Sequence, residues 1–161
     1  MKRFAPLLLL ALPACGLQPL YAGGGSGAVA STLGQVAVAP IEGRSGWLMS
    51  NALRDRLGAG ESGARYRLDV RLDDQIQGFG VRRDDAITRE RRTLRARYQL
   101  VDTADGSVVL DATAGSDAGI DVVQSEYAVI AAEDTALERL SGIVADEIVA
   151  RIALFARRRT Q

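Results

Sequence analysis

Carboxylates and arginines carry nearly all the chemistry open to this sequence, because its 161 residues include no histidine and only one cysteine. Catalytic triads that need an imidazole base are excluded on composition, and so are zinc sites assembled from His and Cys. Adjacent acids occur at Asp73-Asp74, Asp84-Asp85 and Glu133-Asp134. Carboxylate hydrolysis requires two acids converging on a cleft. Neighbouring acids in loops and helix starts are solvated or capping groups instead, so no catalytic residue is assigned and the chain is read as a non-enzyme. Gly78-Phe79-Gly80 and the run Gly23–Gly27 lack the Lys-Ser/Thr pair and the strand-turn-helix setting of phosphate loops.

The lone cysteine has a distinctive setting. Met1-Lys2-Arg3 is basic, Phe4 to Ala14 is apolar and uncharged, and Cys15 follows Leu12-Pro13-Ala14. The apolar run is too short to span a bilayer as a helix, which takes about 20 residues. A basic segment, a short apolar core and small residues before a cut form a secretory signal, here residues 1–14. Leu12-Pro13-Ala14-Cys15 resembles a bacterial lipobox, in which the thiol takes a diacylglycerol and the preceding peptide is removed. An unpaired thiol serves an exported fold little, so lipidation at Cys15 is expected, with diacylglycerol and an N-acyl chain as the covalent groups and no other cofactor or metal. Two or three acyl chains would anchor the protein firmly, since each buried CH₂ contributes about 0.8 kcal/mol.

Loss of residues 1–14 removes Lys2 and Arg3 and leaves 18 basic side chains, all arginine, against 20 acidic ones. This balance gives no reason to expect nucleic acid or any general polyanion as a partner. The remaining 147 residues suit one domain, and 47% hydrophobic content is enough for a core. Residues 15–33, with "GGGSGAVAS", read as the lipidated N-terminus and a flexible tether, and 34–161 as a single domain.

Alternation and helical periodicity define the elements. "GQVAVAPIEG" is a short strand ending at Pro40; "SGWLMSNALRDRLG" is a helix with Ser45 as N-cap, Gly58 as its stop and Trp47 in the core. In "ARYRLDVRLDD", Tyr66, Leu68, Val70 and Leu72 share one face and Arg65, Arg67, Asp69, Arg71 and Asp73 the other. The bulky residues then change parity to Phe79 and Val81, which predicts a bulge near Gly78 and Gly80. "RRDDA" is a turn. "TRERRTLRARYQLVD" returns with Leu94, Ala96, Tyr98 and Leu100 inward and Arg89, Arg91, Arg95 and Arg97 outward. Ala104-Asp105-Gly106-Ser107 is a hairpin turn into "SVVLDATAG", and an irregular stretch precedes a long helix with a stripe at 137, 140, 144, 148, 152 and 155. The tail Arg157-Arg158-Arg159 complements that helix's dipole.

The expected fold is α+β: a two-layer sandwich of order β-α-β-β-β-α, its four-stranded, mostly antiparallel sheet covered on one face by two helices. The outer face then carries Arg67, Arg71, Arg89, Arg91, Arg95 and Arg97, which could grip phosphate through paired hydrogen bonds or pair with Asp69, Asp73 and Asp111 across strands.

Taken in order, "CGLQPLYA", "VAVAPIEGRSGWLMSNALRDRL", "YRLDVRL", "TRERRTLRARYQLVD" and "SEYAVIAAEDTALERLSGIVADEIVARIALF" resemble the LptE family of lipopolysaccharide-assembly lipoproteins in its alphaproteobacterial form. The resemblance implies a lipid-anchored protein on the periplasmic face of the outer membrane. It also implies a one-to-one complex with the LptD-type β-barrel of the lipopolysaccharide translocon, which the protein plugs and helps to assemble, with lipopolysaccharide as the second partner that it helps to deliver; the six outward arginines are then candidate contacts to lipopolysaccharide or to the barrel. A lipoprotein adaptor of another envelope assembly would share the tether and the fold but not the barrel.

Overall fold

The computed structural model describes residues 27–58, 63–81 and 87–159. The signal peptide, Cys15, the turn "RRDDA" and the acids Asp84-Asp85 lie outside the described residues. The elements in chain order are α1 (Ala28–Leu33), β1 (Val36–Val38), α2 (Gly43–Leu57), β2 (Tyr66–Val81), β3 (Ile87–Asp102), β4 (Val108–Asp121) and α3 (Glu126–Arg159). The strands stand in the order β1-β2-β3-β4, β1 parallel to β2 and the other pairs antiparallel. This is the α+β sandwich that alternation predicts, with one helix more.

That helix is α1, in residues assigned to the tether by their composition. Val29 and Leu33 are buried in the common core, where α1 packs on α3, so the folded domain begins before residue 34. Small residues on both sides of those two apolar ones conceal a six-residue helix from any periodicity search.

The second helix, α2, starts two residues before Ser45, and Glu42 occupies the cap position without a side-chain hydrogen bond. Gly46 explains the tight entry: a Cβ there would lie 2.5 Å from the Ile41 carbonyl oxygen, so only glycine fits. Met49, Ser50, Leu53 and Leu57 turn inward with Gly46. Trp47 sits about 100° round the helix from Gly46. It is 63% exposed, so the core position expected for it is corrected. The helix ends at Gly58, whose N–H donates to the Arg54 carbonyl.

The strands β2 and β3 keep one register from Tyr66↔Asp102 to Val81↔Ile87, so the bulge expected near Gly78 is absent. The parity change has another cause. Phe79 stands on the outer face, where the Arg91 guanidinium lies 5.3 Å from its ring centre, and the inner face opposite becomes polar. The irregularity falls instead between Leu100 and Val101, beside the turn to β4. In that turn Gly106 adopts φ +74°, Asp102 accepts from Gly106 N–H, and Asp105 accepts from Ser107 N–H.

The last strand, β4, continues through the stretch expected to be irregular. Its small residues Ser116-Asp117-Ala118-Gly119 show no bulky alternation, yet Ala114, Ala118 and Ile120 are buried at period two beneath α3. This last helix, about 50 Å long, runs parallel to α2: Arg44 pairs with Asp134 near their starts and Arg56 with Asp146 further along. Leu137, Leu140, Val144, Ile148 and Ile152 form its fully buried line over the sheet.

Candidate functional site: the exposed face of the sheet

With α1, α2 and α3 on one face, the other is left to alternating polar side chains, and the register sets their neighbours. Arg97 lies between Arg71 and Thr113, Arg95 between Asp73 and Gly115, Arg91 between Gln77 and Gly119, and Arg89 between Phe79 and Asp121. The six arginines singled out from alternation therefore do share one surface.

Four of them have carboxylate partners. Arg89 meets Asp121 at 3.1 Å, Arg91 reaches Asp117 at 3.8 Å, and Arg97 reaches Asp111 at 3.2 Å. Arg67 grips Asp69, two residues along its own strand, with both Nε and Nη2. Asp111 also accepts from Gln99 at 2.8 Å, and the Arg97 and Gln99 donors hold its carboxyl below the usual range. Asp73 accepts from the Gln75 amide rather than from an arginine. All these side chains are largely exposed, and pairs of this kind contribute at most about 1 kcal/mol each. Stability does not require the arrangement, which leaves it available for contacts.

Arg71 and Arg95 differ: among the described residues neither has a carboxylate within ion-pair distance. They line, with Asp73, Arg97 and Gly115, a shallow depression of about 500 Å³ that the α3 carboxylate Glu147, which accepts from the Gly115 N–H, also borders. Two guanidinium groups on adjacent strands at the rim of such a hollow can offer paired N–H donors to an anionic group.

Two polar clusters lie off this face, and alternation analysis passed over both. Arg92 has the inward parity of Leu94 and stands opposite Ile76 in β2. It makes two hydrogen bonds to Asp74, at 2.8 and 2.7 Å, and donates to the Glu133 carbonyl at 2.8 Å. Glu90, also inward, has a buried Oε2 without a hydrogen-bond partner. Loss of water, and then the nearby Glu90 carboxylate, push the Glu133 carboxyl above its ordinary value. A charged residue at an inward parity in both β2 and β3 was the available signal. At the other end of the sheet, Arg159 donates to the Tyr66 hydroxyl at 2.8 Å and approaches the buried Asp102, which Arg65 also meets at 3.5 Å.

Among the described residues, the paired acids noted in the sequence do not converge. Asp73 and Asp74 point to opposite faces; Asp134 is held by Arg44 and Glu133 adjoins Glu90.

Comparison with known proteins places this architecture. The profile of the family described as LptE, lipopolysaccharide-assembly, matches residues 33–152, from the end of α1 through most of α3. The chain belongs to the LptE family. Among solved structures, a candidate lipoprotein of Caulobacter crescentus is 26% identical, with a TM-score of 0.69 over 80% of this chain and 96% of that one. Rare lipoprotein B of Shewanella oneidensis is 8% identical, with a TM-score of 0.61 over 78% and 98%. The minor lipoprotein of Acinetobacter baumannii is 15% identical, with a TM-score of 0.57 over 74% and 91%. At such identities the last two show a shared fold. No curated protein sequence matches the chain. The LptE match takes in every strand of the arginine face, the whole of α2, and α3 as far as Ile152.

Proposed function

We propose that this LptE-family protein is a lipoprotein acylated at Cys15 and anchored at the periplasmic face of the outer membrane. Its folded domain occupies the interior of the lipopolysaccharide translocon β-barrel, one to one. There it helps the barrel to fold and assists delivery of lipopolysaccharide to the cell surface, without an enzymatic step of its own. The observation that carries this reading is the exposed sheet face, where arginine and aspartate alternate across three strands. The interior wall of a large outer-membrane barrel is polar, and a charge-mixed surface can exchange its weak internal pairs for pairs with that wall at little cost. Arg71 and Arg95 are the side chains best placed to meet an acidic group of lipopolysaccharide.

The test is extraction of the C-terminally tagged protein from outer membranes in mild detergent. A large β-barrel recovered in one-to-one ratio is the expected result, and recovery of the protein alone would leave the family assignment intact while removing the plug.

A further inference from the structure

The strand β4 stands at one edge of the sheet, with β3 on one side and, among the described residues, no strand on the other. Successive residues of a strand turn their N–H and C=O groups to alternate sides. The Gly115 N–H points away from β3, because it donates to the Glu147 carboxylate of α3 at 3.3 Å. By the same parity Asp117, Gly119 and Asp121 turn their backbone groups to the open side, while Ser116, Ala118 and Ile120 face β3. Glu147 closes the edge at Gly115, but among the described residues nothing pairs with the edge N–H groups at 117, 119 and 121. Sheet edges are ordinarily guarded by lysine, proline, a bulge or an overhanging charge. The distal half of β4 has none of the first three, and its aspartates are drawn back over the sheet, Asp117 by Arg91 and Asp121 by Arg89.

Beside this open edge, on the helical side of the sheet, runs a groove of about 470 Å³ between β4 and α3. Ile120 lines it from the strand, and Ala131, Ala132 and Ala136 leave it unfilled from the helix. Its two charged side chains differ. Asp121 is taken by Arg89, whereas Arg139, exposed on α3, has no carboxylate within ion-pair distance among the described residues. A guanidinium without a partner, beside apolar walls, favours a ligand that brings a carboxylate with its apolar groups.

We propose that the distal edge of β4 and this groove form a docking site for an extended peptide segment of a partner protein. The segment adds as a fifth strand, sets aliphatic side chains between Ile120 and the alanines of α3, and meets Arg139 with a carboxylate. Strand addition draws affinity from main-chain hydrogen bonds and specificity from pockets for alternate side chains, and the two stand side by side here. The site is independent of the plug reading, since a loop of the barrel and a segment of another envelope protein are equally able to supply such a strand.

The probe is a fluorescent heptapeptide with blocked ends that alternates threonine with valine, valine and glutamate, the last three sharing one face. It is titrated into the processed chain carrying Cys15→Ser, which needs no detergent. Saturable binding is expected, with hydrogen exchange slowed at amides 117, 119 and 121 and unchanged at 118 and 120, which the ladder to β3 already protects. Of two versions N-methylated on alternate amides, only one should bind, since one set of N–H groups faces β4 and the other faces solvent. Gly119→Pro deletes an edge donor while sparing the ladder, and should weaken binding about fivefold. If that variant melts early, the N-methylated pair tests the same hydrogen bonds on unaltered protein. Arg139→Glu should weaken binding about tenfold, and lysine in place of the peptide glutamate should restore it. No binding, equal binding of both N-methylated peptides, or no loss with Arg139→Glu overturns the proposal. So does another occupant: a chain already dimeric through this edge before peptide is added, or laurate displacing the peptide without slowing those amides.

Discussion

At the base of the sheet, Tyr66, Leu68 and Val70 of β2 and Tyr98 and Leu100 of β3 are buried in one apolar layer with α1, α2 and α3. About 20 Å further along the same face of the same strands, the inward positions hold Asp74, Ile76, Glu90 and Arg92, and α3 is held there by the Arg92 bond to the Glu133 carbonyl, with Asp74 of β2 fixing the guanidinium. The hydrogen-bonded ladder between β2 and β3 continues across both regions without a break. One backbone pattern thus serves two different cohesive forces. Apolar burial gathers free energy from every contact in a cluster and makes the base cooperative, whereas a polar clamp depends on a few groups whose desolvation offsets much of their attraction. The tip is therefore the part of the molecule expected to open separately, and the base the part that sets global stability.

The contrast is broken most sharply by emptying the base. Leu140→Ala removes a fully buried side chain from the centre of α3 and should cost about 2–5 kcal/mol in urea unfolding. All probes should shift together; a loss under about 1 kcal/mol would mean that the base does not carry the stability.

Arg92→Ala comes next. Deleting the guanidinium leaves Asp74 half-buried without its partner, at an expected cost of about 2 kcal/mol. Hydrogen exchange locates the effect: amides of residues 74–78 and 90–94 should lose protection while those of 66–70 and 98–100 keep theirs. Uniform loss would merge the two regions into one unit.

The smallest effect is a pH dependence. Burial, together with Glu90, raises the Glu133 pKa in the folded state, where Arg92 opposes the shift and Asp134 adds to it. The folded protein then holds this proton more tightly than the unfolded chain does. Stability from this group is greatest below the ordinary glutamate value and falls as pH rises through the folded one. Glu133→Gln should raise the melting temperature near neutral pH by about 1–2 °C and flatten its decline between mild acid and neutrality. A steeper decline would show that the carboxylate is instead stabilised in place by Arg92.

Legibility in the sequence follows the same division. Strict alternation of large apolar side chains made β2 and β3 readable at the base, and steps of three and four did so for α3, because burial there acts on bulk and period together. The arginine face was legible for the same reason, as the complementary parity. Where the side chains are small, in α1 and in the distal half of β4, periodicity has no bulk to register. Trp47 was misplaced because size suggests burial, while its helical angle relative to Gly46 and Met49 decides exposure.

By itself the sequence determined the order of the elements from β1 onward, the apolar face of β2 and β3 at the base, and the six arginines that share the other face, since these depend on spacing along one chain. Tertiary structure alone decided that Arg71 and Arg95 stand without carboxylates among the described residues, that Arg92 clamps the tip, and that Arg159 closes on Tyr66 and Asp102. Those outcomes depend on distances between side chains far apart in the chain, and a pairing between strands or across a helix has no period for a sequence to display.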